Sequence, residues 1–552
     1  MQTTVLPVIT RKWYYYWLSI LVLSLVPGLF TTLMEQDAAL YAGIAKQIVW
    51  RNDWVNLYAN GADWLDKPHL PFWITAASFK LLGIGTFSYK LPAFLCWLGA
   101  AWYTGALTRH FYGVNTGRVA VLIFLSALHG IISINDVRAE PYLTFFLIAS
   151  SFHLVKAERA AAQLFPAALF TAAAVMTKGP FVLIPIGGGM LIHWMVKGEW
   201  KQFLNWKWYV YLLLTAVFTI PELWCLYLQF DARPELQVFG QKNVSGIRFF
   251  LWDSQFGRFF NTGPIKGKGD PFFFLHTLLW AFLSWSILLY AGIVAKFRML
   301  FSGERKAAAE WISFGAGLLT LLVFSLSRFQ LPHYLNILFP YFSVLLAAWL
   351  LQLKSASAVK NVFFTQRVVS LLMMILPAVV IVLFRPPYWW IYLLLTGGFL
   401  WVWWVIKTRD LSSALRTGLA GSVAVALFLN LFFYPALLEY QGGSVAAEWK
   451  NKKHPGRQVQ FWEINSYGFE FYSDAPVLRS AEIELPLLYT SRAGLAKLDS
   501  MALPYTVDAV FSSFPVTRLN GRFLNPASRA SRLDSVWLLQ VNAVDLNNLE
   551  KK

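Results

Sequence analysis

The sequence predicts a mainly α fold: a polytopic membrane helical bundle with about thirteen spans, large outer loops and a small C-terminal α/β soluble domain. Three observations lead to this fold class. Hydrophobic residues make up 57% of the 552 residues and charged residues only 14%, unlike an ordinary soluble protein. Long apolar runs recur as far as Tyr440. Beyond it the polarity becomes ordinary, and alternating stretches such as RQVQFWEI and DSVWLLQV are typical of strands.

The predicted spans are apolar runs long enough to cross a bilayer, which takes roughly 17 to 25 residues per helix. The runs around Lys178 and Pro386 are nearly continuous, and a shorter run at 70–83 is either a re-entrant or a surface helix. The count is therefore predicted to within one or two spans. The runs lie near 13–34, 88–108, 118–135, 140–155, 163–177, 179–196, 208–229, 272–295, 310–327, 332–352, 368–385, 388–406 and 416–438.

Lys and Arg residues in the short loops predict the orientation, because cytoplasmic loops are enriched in them. With a cytoplasmic N-terminus, alternate loops carry basic clusters, as at 296–306, whereas the opposite short loops carry single basic residues. This bias and an odd span count place the loops 35–72 and 230–271 on the outer side. We therefore predict a multi-pass protein of the inner (plasma) membrane, with a membrane domain at 1–440 and a periplasmic or otherwise extracytoplasmic domain at 441–552.

Several other classes are not indicated by the sequence. The net charge of +18 does not predict nucleic-acid binding, since the basic residues are not clustered on a soluble face. The two cysteines, Cys96 and Cys225, lie in apolar runs and indicate neither a disulfide framework nor a thiolate metal site. Hydrolase patterns such as Ser-His-Asp order or HExxH spacing are missing from the sequence. The first run follows basic residues and has no small-residue cleavage site, which favours an uncleaved span over a signal peptide.

The first outer loop has a density of acidic residues that the next two hundred residues do not repeat. Its segment AALYAGIAKQIVW places Ala38, Tyr41 and nearby apolar residues on one helical face, with Lys46 and Gln47 on the other. This pattern predicts an amphipathic helix along the membrane surface. Asp37 occupies the first turn, where a carboxylate stabilises the helix N-terminus, so a capping role and a functional role are both open for it.

Ionisable residues gather at five span junctions on the predicted outer face. Such residues are costly unless they pair or line a wet cavity. Any one of them has an ordinary explanation, such as snorkelling to the interface, but five junctions on one face favour function. Fixed cations suit a phosphate group, and a nearby carboxylate suits a general base or a hard-metal ligand. The candidates are Asp37, Asp66, Lys67, Asp136, Arg138, Glu140, Lys178, Lys266, Lys268, Asp270, Arg328 and His333.

At these residues the sequence resembles the integral-membrane glycosyltransferases of the GT-C class, in particular the group that contains protein O-mannosyltransferases and the bacterial aminoarabinose transferase that modifies lipid A. Four motifs occur in family order over about 440 residues. They are DAALYAGIA with WLDKPHLPFW at 37–45 and 64–73, Arg138-Ala139-Glu140 before Leu143, Phe145 and Phe146, Thr177 to Pro180, and Leu331 to Tyr334. The chain departs from the family at Ala38, Leu40, Asp66 and Glu140, where the family has an acid, an Arg, a Glu and an Asp, but Asp37 and Lys67 are kept.

The resemblance implies an enzyme that transfers a hexose or pentose from a polyprenyl-phosphate-sugar donor to a lipid A-like lipid, a glycan or a protein hydroxyl, with inversion. It implies Asp37 and Glu140 as catalytic residues. A divalent metal held by Asp66 with Asp270 or His276 is a possible cofactor, since some members of the family use a metal and others do not. The residues expected to bind the donor and its phosphate are Tyr41, Trp64, Lys67, Arg138, Lys178, Lys268, Arg328, His333 and Tyr334.

The alternative hypothesis is a transporter or flippase for a lipid-linked or anionic substrate, in which the same charges line the substrate pathway. Transporters usually carry charges at mid-bilayer and broken helices in repeated halves. Neither feature is visible in the sequence, and large outer loops with a soluble tail favour an enzyme.

Overall fold

Helices occupy each of the predicted apolar runs. The computed structural model describes residues 9–541. Within them, six helical stretches are long and apolar enough to cross a membrane, and four apolar helices are shorter. The chain is thus a multi-pass membrane protein, while its exact span count stays a prediction. The bundle helices are Arg11–Leu25, Thr86–Tyr112, Val114–Ser126, Glu140–Ala157, Leu164–Lys178, Leu183–Lys197, Trp206–Leu226, Ser286–Leu300, Ile312–Leu326, Phe339–Leu351, Ala356–Phe384, Trp389–Val405 and Leu411–Leu427.

The run at 272–295, predicted as one span, is interrupted in the structure. It forms two helices, Phe273–Ala281 and Ser286–Leu300, separated by a turn. The turn packs against a second break, where the helix Val114–Ser126 ends: the carbonyl of Leu283 accepts from the amide of Leu128 at 2.7 Å. Trp285 also donates its indole N–H to Ser126 at 2.8 Å. Tertiary hydrogen bonds to the freed backbone therefore stabilise an interruption inside an apolar sequence.

The first predicted outer loop contains the helices Asp37–Arg51 and Leu70–Leu82, which pack on each other through Leu40, Ile44 and Phe72. The prediction of a helix at 38–48 is confirmed. The prediction that Lys46 lies on an exposed polar face is wrong, because this side chain is only 2% exposed.

Lys46 is buried by the C-terminal domain. Its Nζ donates to the carbonyls of Glu470, Phe471 and Ser473 at 2.9, 2.7 and 2.6 Å. A buried ammonium group needs such acceptors, so this lysine fastens the helix to the tail.

The second predicted outer loop, 230–271, has structure of its own. It contains the π-helix Phe249–Gly257 and the short helix Arg258–Phe260, and it is irregular at 261–270. In the irregular part, a Cβ on Gly267 would lie 2.6 Å from the carbonyl oxygen of Arg328, and a Cβ on Gly269 would lie 2.6 Å from that of Ser327. Glycine therefore permits this segment to pack closely against the backbone at 327–329.

The C-terminal domain contains a five-stranded mixed sheet beside the helices Gly442–Lys453, Tyr467–Tyr472 and Arg492–Ser500. Both stretches predicted as strands are strands. The strand Val459–Trp462 pairs in parallel with both neighbours, with Phe461 opposite Tyr489, and the other pairs are antiparallel. In spatial order the strands are Val477–Arg479, Val459–Trp462, Leu487–Ser491, Asp534–Val541 and Tyr505–Ser513.

The tail also holds the segment directly before Asp37. Gln441 accepts from the amide of Glu35 and donates to the carbonyl of Leu33, both at 2.8 Å. The Glu35 carboxylate accepts from the Ser466 hydroxyl at 2.5 Å and the Gly468 amide at 2.8 Å. Burial raises the pKa of Glu35, and these two hydrogen bonds oppose that shift. The backbone position of Asp37 thus depends on contacts more than four hundred residues away in the chain.

Candidate active site

Asp37 is the first residue of the helix Asp37–Arg51, and one of its carboxylate oxygens lies 2.5 Å from Nη1 of Arg138. Arg138 also binds Asp136, at 2.8 and 3.0 Å. Burial opposes the charge on Arg138, but the two carboxylates raise its pKa above the ordinary value. Of the four carboxylates here, Asp37 is the most accessible, with 39% of its side chain exposed against 19% for Asp136, 16% for Asp66 and 3% for Glu140. Asp37 is therefore the acid that a substrate can reach.

Asp66 holds two cations side by side. One of its carboxylate oxygens contacts Lys67 and the other contacts Arg258, and all three side chains are largely buried. Burial raises the pKa of Asp66, but the two neighbouring cations outweigh it and lower the pKa below the ordinary value. This arrangement keeps two positive groups fixed at one place, ready for an anionic ligand.

A further ion pair joins Lys178 to Glu140, with the Lys178 ammonium 3.9 Å from the centre of the Tyr334 ring. His333 bridges this pair to Arg138: its Nδ1 accepts from the guanidinium at 3.3 Å, and its Nε2 lies 3.6 Å from Glu140. Because an arginine only donates, the proton of a neutral His333 resides on Nε2, which faces the Glu140 carboxylate. A continuous chain of charges thus runs from Asp37 to Lys178.

The Thr177 to Pro180 motif is a turn that receives the second loop. Gly179 has a φ of +96°, and a Cβ there would lie 2.3 Å from Nε2 of Gln255. Gln255 donates this nitrogen to the carbonyl of Lys178 at 3.3 Å. Only glycine suits both the conformation and the close approach, and the contact brings Arg258 of the same loop towards Asp66.

Two adjoining cavities meet at these cations. The smaller one, of about 160 Å³, is lined by Asp37, Tyr41, Trp64 and the charged network. The larger one, of about 400 Å³, is lined mainly by apolar side chains such as Leu143, Phe181 and Phe249. The side chains common to both cavities are Asp66, Lys67, Lys178, Arg258, Phe329 and Tyr334.

Two hydrogen-bond donors at this junction have no partner among the described residues. They are Nε1 of Trp64 and Nε of Arg258, both buried, and both residues line the smaller cavity. A buried donor without an acceptor costs roughly 1 to 3 kcal/mol.

Most of the predicted site residues are brought together by the fold, although their individual roles stay predictions. The predicted residues that line the cavities are Asp37, Tyr41, Trp64, Asp66, Lys67, Arg138, Glu140, Lys178, His333 and Tyr334. Lys268 and Arg328, predicted to bind the donor phosphate, are exposed and line neither cavity. Their segments pack against each other on the outside of the site instead.

The predicted metal site is not assembled. Asp270 and His276 are exposed and line neither cavity, and Asp270 caps a turn by accepting from the amide of Phe272 at 2.9 Å. Both oxygens of Asp66 are engaged by cations. Across residues 9–541, no three His, Cys, Asp or Glu side chains are grouped as metal ligands. These residues do not fit the metal that the resemblance allows.

The sequence prediction missed Arg258 and Glu222. Arg258 lies in the stretch FGRFFNTG, where a lone arginine between aromatic residues in an outer loop was the available signal. Glu222 lies inside an apolar run; it is fully buried and accepts from the backbone amide of His69 at 3.0 Å, with the imidazole Nδ1 at 2.9 Å. It thereby anchors the end of the loop segment that carries Asp66 and Lys67.

Residues 66–224 match the model of the dolichyl-phosphate-mannose-protein mannosyltransferase family. An uncharacterised protein of Aquifex aeolicus is 24% identical over 474 residues, covering 83% of this chain and 86% of that protein.

An undecaprenyl phosphate-alpha-4-amino-4-deoxy-L-arabinose arabinosyl transferase of Shewanella sediminis is 27% identical over 279 residues. This match covers 48% of each chain, so it spans about half the length of the named transferase.

Among solved structures, the chain is similar to ArnT from Cupriavidus metallidurans bound to undecaprenyl phosphate, with a TM-score of 0.74 and 16% sequence identity. The alignment covers 96% of this chain and 98% of that one. The predicted fold and the predicted resemblance to GT-C glycosyltransferases are therefore confirmed. The comparisons support the enzyme hypothesis and give no support to the transporter hypothesis.

Proposed function

We propose that this chain, which shares its fold with a GT-C glycosyltransferase, transfers a sugar from a polyprenyl-phosphate carrier to an acceptor outside the cytoplasm. The observation that carries the proposal is the position of Lys67, Arg258 and Lys178 at the junction of an apolar and a polar cavity. A polyprenyl-phosphate sugar has the same three parts in the same order: an apolar chain, a phosphate and a sugar. ArnT from Cupriavidus metallidurans, the solved structure of the same fold, is bound to undecaprenyl phosphate, which supports a carrier of this kind.

In this arrangement the lipid chain occupies the larger cavity and the phosphate contacts Lys67 and Arg258. The sugar extends into the smaller cavity, which is lined by Trp64 and Arg258. Asp66 touches no substrate in this scheme, and it keeps the two cations in place. Its ion pairs prevent these cations from being buried without a counter-charge.

The reaction is a single displacement. The oxygen of an acceptor hydroxyl forms a bond to the anomeric carbon while the bond from that carbon to the phosphate oxygen breaks. The hydroxyl proton passes to the accessible carboxylate of Asp37, which acts as general base. The electron pair of the broken bond leaves with polyprenyl phosphate, and Lys67 and Arg258 stabilise the charge that develops there. Attack opposite to the leaving group inverts the anomeric centre.

Glu140 was predicted as a second catalytic carboxylate, and its surroundings favour a positioning role. It is nearly fully buried, contacts Lys178 and lies beside His333. A carboxylate engaged in this way orients the cation that lines both cavities, whereas proton transfer needs an accessible oxygen.

The test is transfer by the purified protein from a polyprenyl-phosphate donor carrying a labelled sugar, with free polyprenyl phosphate measured as the second product. Lys67→Ala should lower the transfer rate by about a hundredfold or more and weaken the binding of polyprenyl phosphate. Arg328→Ala, an exposed cation outside both cavities, is the matched control. If labelled lipid crosses a membrane intact and no polyprenyl phosphate is released, the protein is a transporter.

We also propose that the candidate site and the C-terminal domain face the periplasm or cell exterior, because the basic-loop bias places them there. A reporter that is active only outside the cytoplasm, fused after Lys552, should be active. Activity of a reporter that works only in the cytoplasm would show the opposite orientation, and it would exclude lipid-linked sugars of the outer leaflet as donors.

A further inference from the structure

A third cavity, of about 620 Å³, lies at the other end of the bundle, between the helices Arg11–Leu25, Thr86–Tyr112 and Val114–Ser126. Contacts of Lys90 show that the cavity lies at this end. Lys90 is near the start of the helix Thr86–Tyr112, and its Nζ donates to the carbonyls of Gly28 and Thr31, beyond the C-terminal end of the helix Arg11–Leu25. The two helices therefore run antiparallel. Arg109 lies about 28 Å further along its helix than Lys90, at 1.5 Å per residue, which is close to the thickness of a bilayer core.

The rim of this groove carries Arg11, Arg109 and Arg118, and no carboxylate lines it. Within residues 9–541, none of the three forms an ion pair with Asp or Glu. Arg11 lies 5.8 Å from the ring centre of Tyr15, and Arg118 lies 5.8 Å from that of Tyr14. Three positive groups thus converge on one opening whose charge the described protein leaves uncompensated.

The groove below this rim is apolar. Its floor is formed where the second and third helices touch, since a Cβ on Gly105 would lie 2.6 Å from Val121 and one on Gly117 would lie 2.9 Å from the carbonyl of Gly105. Further along, the lining continues with Leu18, Val22 and Leu98. A ligand that fits has an anionic head at the rim and a hydrocarbon chain along the floor.

We propose that this groove binds one anionic glycerophospholipid from the leaflet opposite the candidate active site. Arginine presents a planar fork of donors that matches the oxygens of a phosphate. Three such guanidinium groups neutralise the negative charge of the lipid head group. Basic pockets between spans bind anionic head groups in this way. Unlike the cavities beside Asp37, this groove holds no acid that could act on the lipid, so the lipid is a bound ligand and not a substrate.

The experiment is native mass spectrometry of the full-length protein titrated with dioleoyl-phosphatidylglycerol or dioleoyl-phosphatidylcholine. We expect one phosphatidylglycerol per chain, bound at least tenfold more tightly than phosphatidylcholine. The triple variant Arg11→Gln/Arg109→Gln/Arg118→Gln should lose this preference. A matched triple variant with the exposed residues Lys354, Lys360 and Lys407 changed to Gln should keep it.

A second pair of variants tests the cavity without changing any charge. Leu98→Trp places a large side chain in the groove and should weaken phosphatidylglycerol binding, whereas Leu95→Trp, which is exposed outside the groove, should not. Equal binding of the two lipids by the parent protein overturns the proposal. So does equal loss in both triple variants, which indicates a diffuse surface charge, or unchanged binding by Leu98→Trp. Sugar transfer is not measured, so these outcomes are independent of the proposed function.

Discussion

The two ends of the bundle hold their cations in different ways. At the candidate site, Lys67, Arg138, Lys178 and Arg258 each contact a carboxylate. At the opposite end, the arginines of the groove have no acidic partner in the described part of the chain. Buried cations need a counter-charge, whereas cations at a membrane surface are solvated by water and head groups. Pairing therefore marks the end where charge must be preorganised for a reaction, and its absence marks the end where the ligand itself supplies the counter-charge.

The largest effect expected from this comparison is at Asp37. Asp37→Asn keeps the size of the side chain but removes the carboxylate that pairs with Arg138, and an amide cannot accept the acceptor's proton. We expect only a small loss of thermal stability, because Arg138 keeps its contacts with Asp136. Binding of polyprenyl phosphate should be retained, and nearly all transfer should be lost. Transfer rate and donor binding are measured on the same sample. Transfer within threefold of the parent rate, a barrier change of about 0.6 kcal/mol, would exclude Asp37 as the general base.

The next effect is at Arg258, which the structure adds to the site. Arg258→Gln removes a fixed cation from both cavities and leaves Asp66 paired with Lys67 alone. The transfer rate should fall on the order of a hundredfold, with weaker binding of polyprenyl phosphate. Arg328→Gln makes the same change at an exposed position. Equal effects of the two substitutions would mean that Arg258 acts only through general surface charge.

A smaller effect is expected at Lys46, which joins the first loop to the tail. Lys46→Met retains the packing of the aliphatic stem but leaves the carbonyls of Glu470, Phe471 and Ser473 without this donor. We expect a lower Tm and faster proteolysis of the tail. Transfer should fall by roughly tenfold if displacement of Asp37 raises the reaction barrier by about 1.4 kcal/mol. Binding of polyprenyl phosphate should stay unchanged. Gln47→Met, at the adjacent and partly exposed position, is the control, and an equal Tm for both variants contradicts the fastening role.

The smallest effect is expected for residues that the sequence placed in the site and the structure does not. Lys268→Ala, Asp270→Ala and His276→Ala change exposed side chains that line neither cavity. Each variant should transfer sugar within about twofold of the parent rate, since exposed substitutions away from a site usually change little. A loss of more than tenfold in a steady-state assay would show that the loop closes over the donor and carries these groups inward.

The bundle and most of the candidate site follow from local features of the sequence. Runs of apolar residues must form helices in a bilayer because the backbone has no other hydrogen-bond partner there, and alternation after Tyr440 sufficed for the strands. Successive membrane helices alternate in direction, so every second junction between apolar runs lies on the same face. This places four residues at the ends of such runs in one cavity: Asp37, Arg138, Lys178 and His333.

Other positions depend on packing between distant segments and could not be predicted from local patterns. Lys46 has the spacing of an exposed residue, but the tail covers it and supplies three carbonyls. Arg258 and Lys268 lie in the same loop with no periodicity to separate them. Tertiary contacts of that loop, such as that of Gln255 with the backbone of Lys178, accompany the pairing of Arg258 with Asp66. Periodicity reports which way a side chain points from its own helix, whereas burial of a charge is set by whichever segment arrives to pair with it.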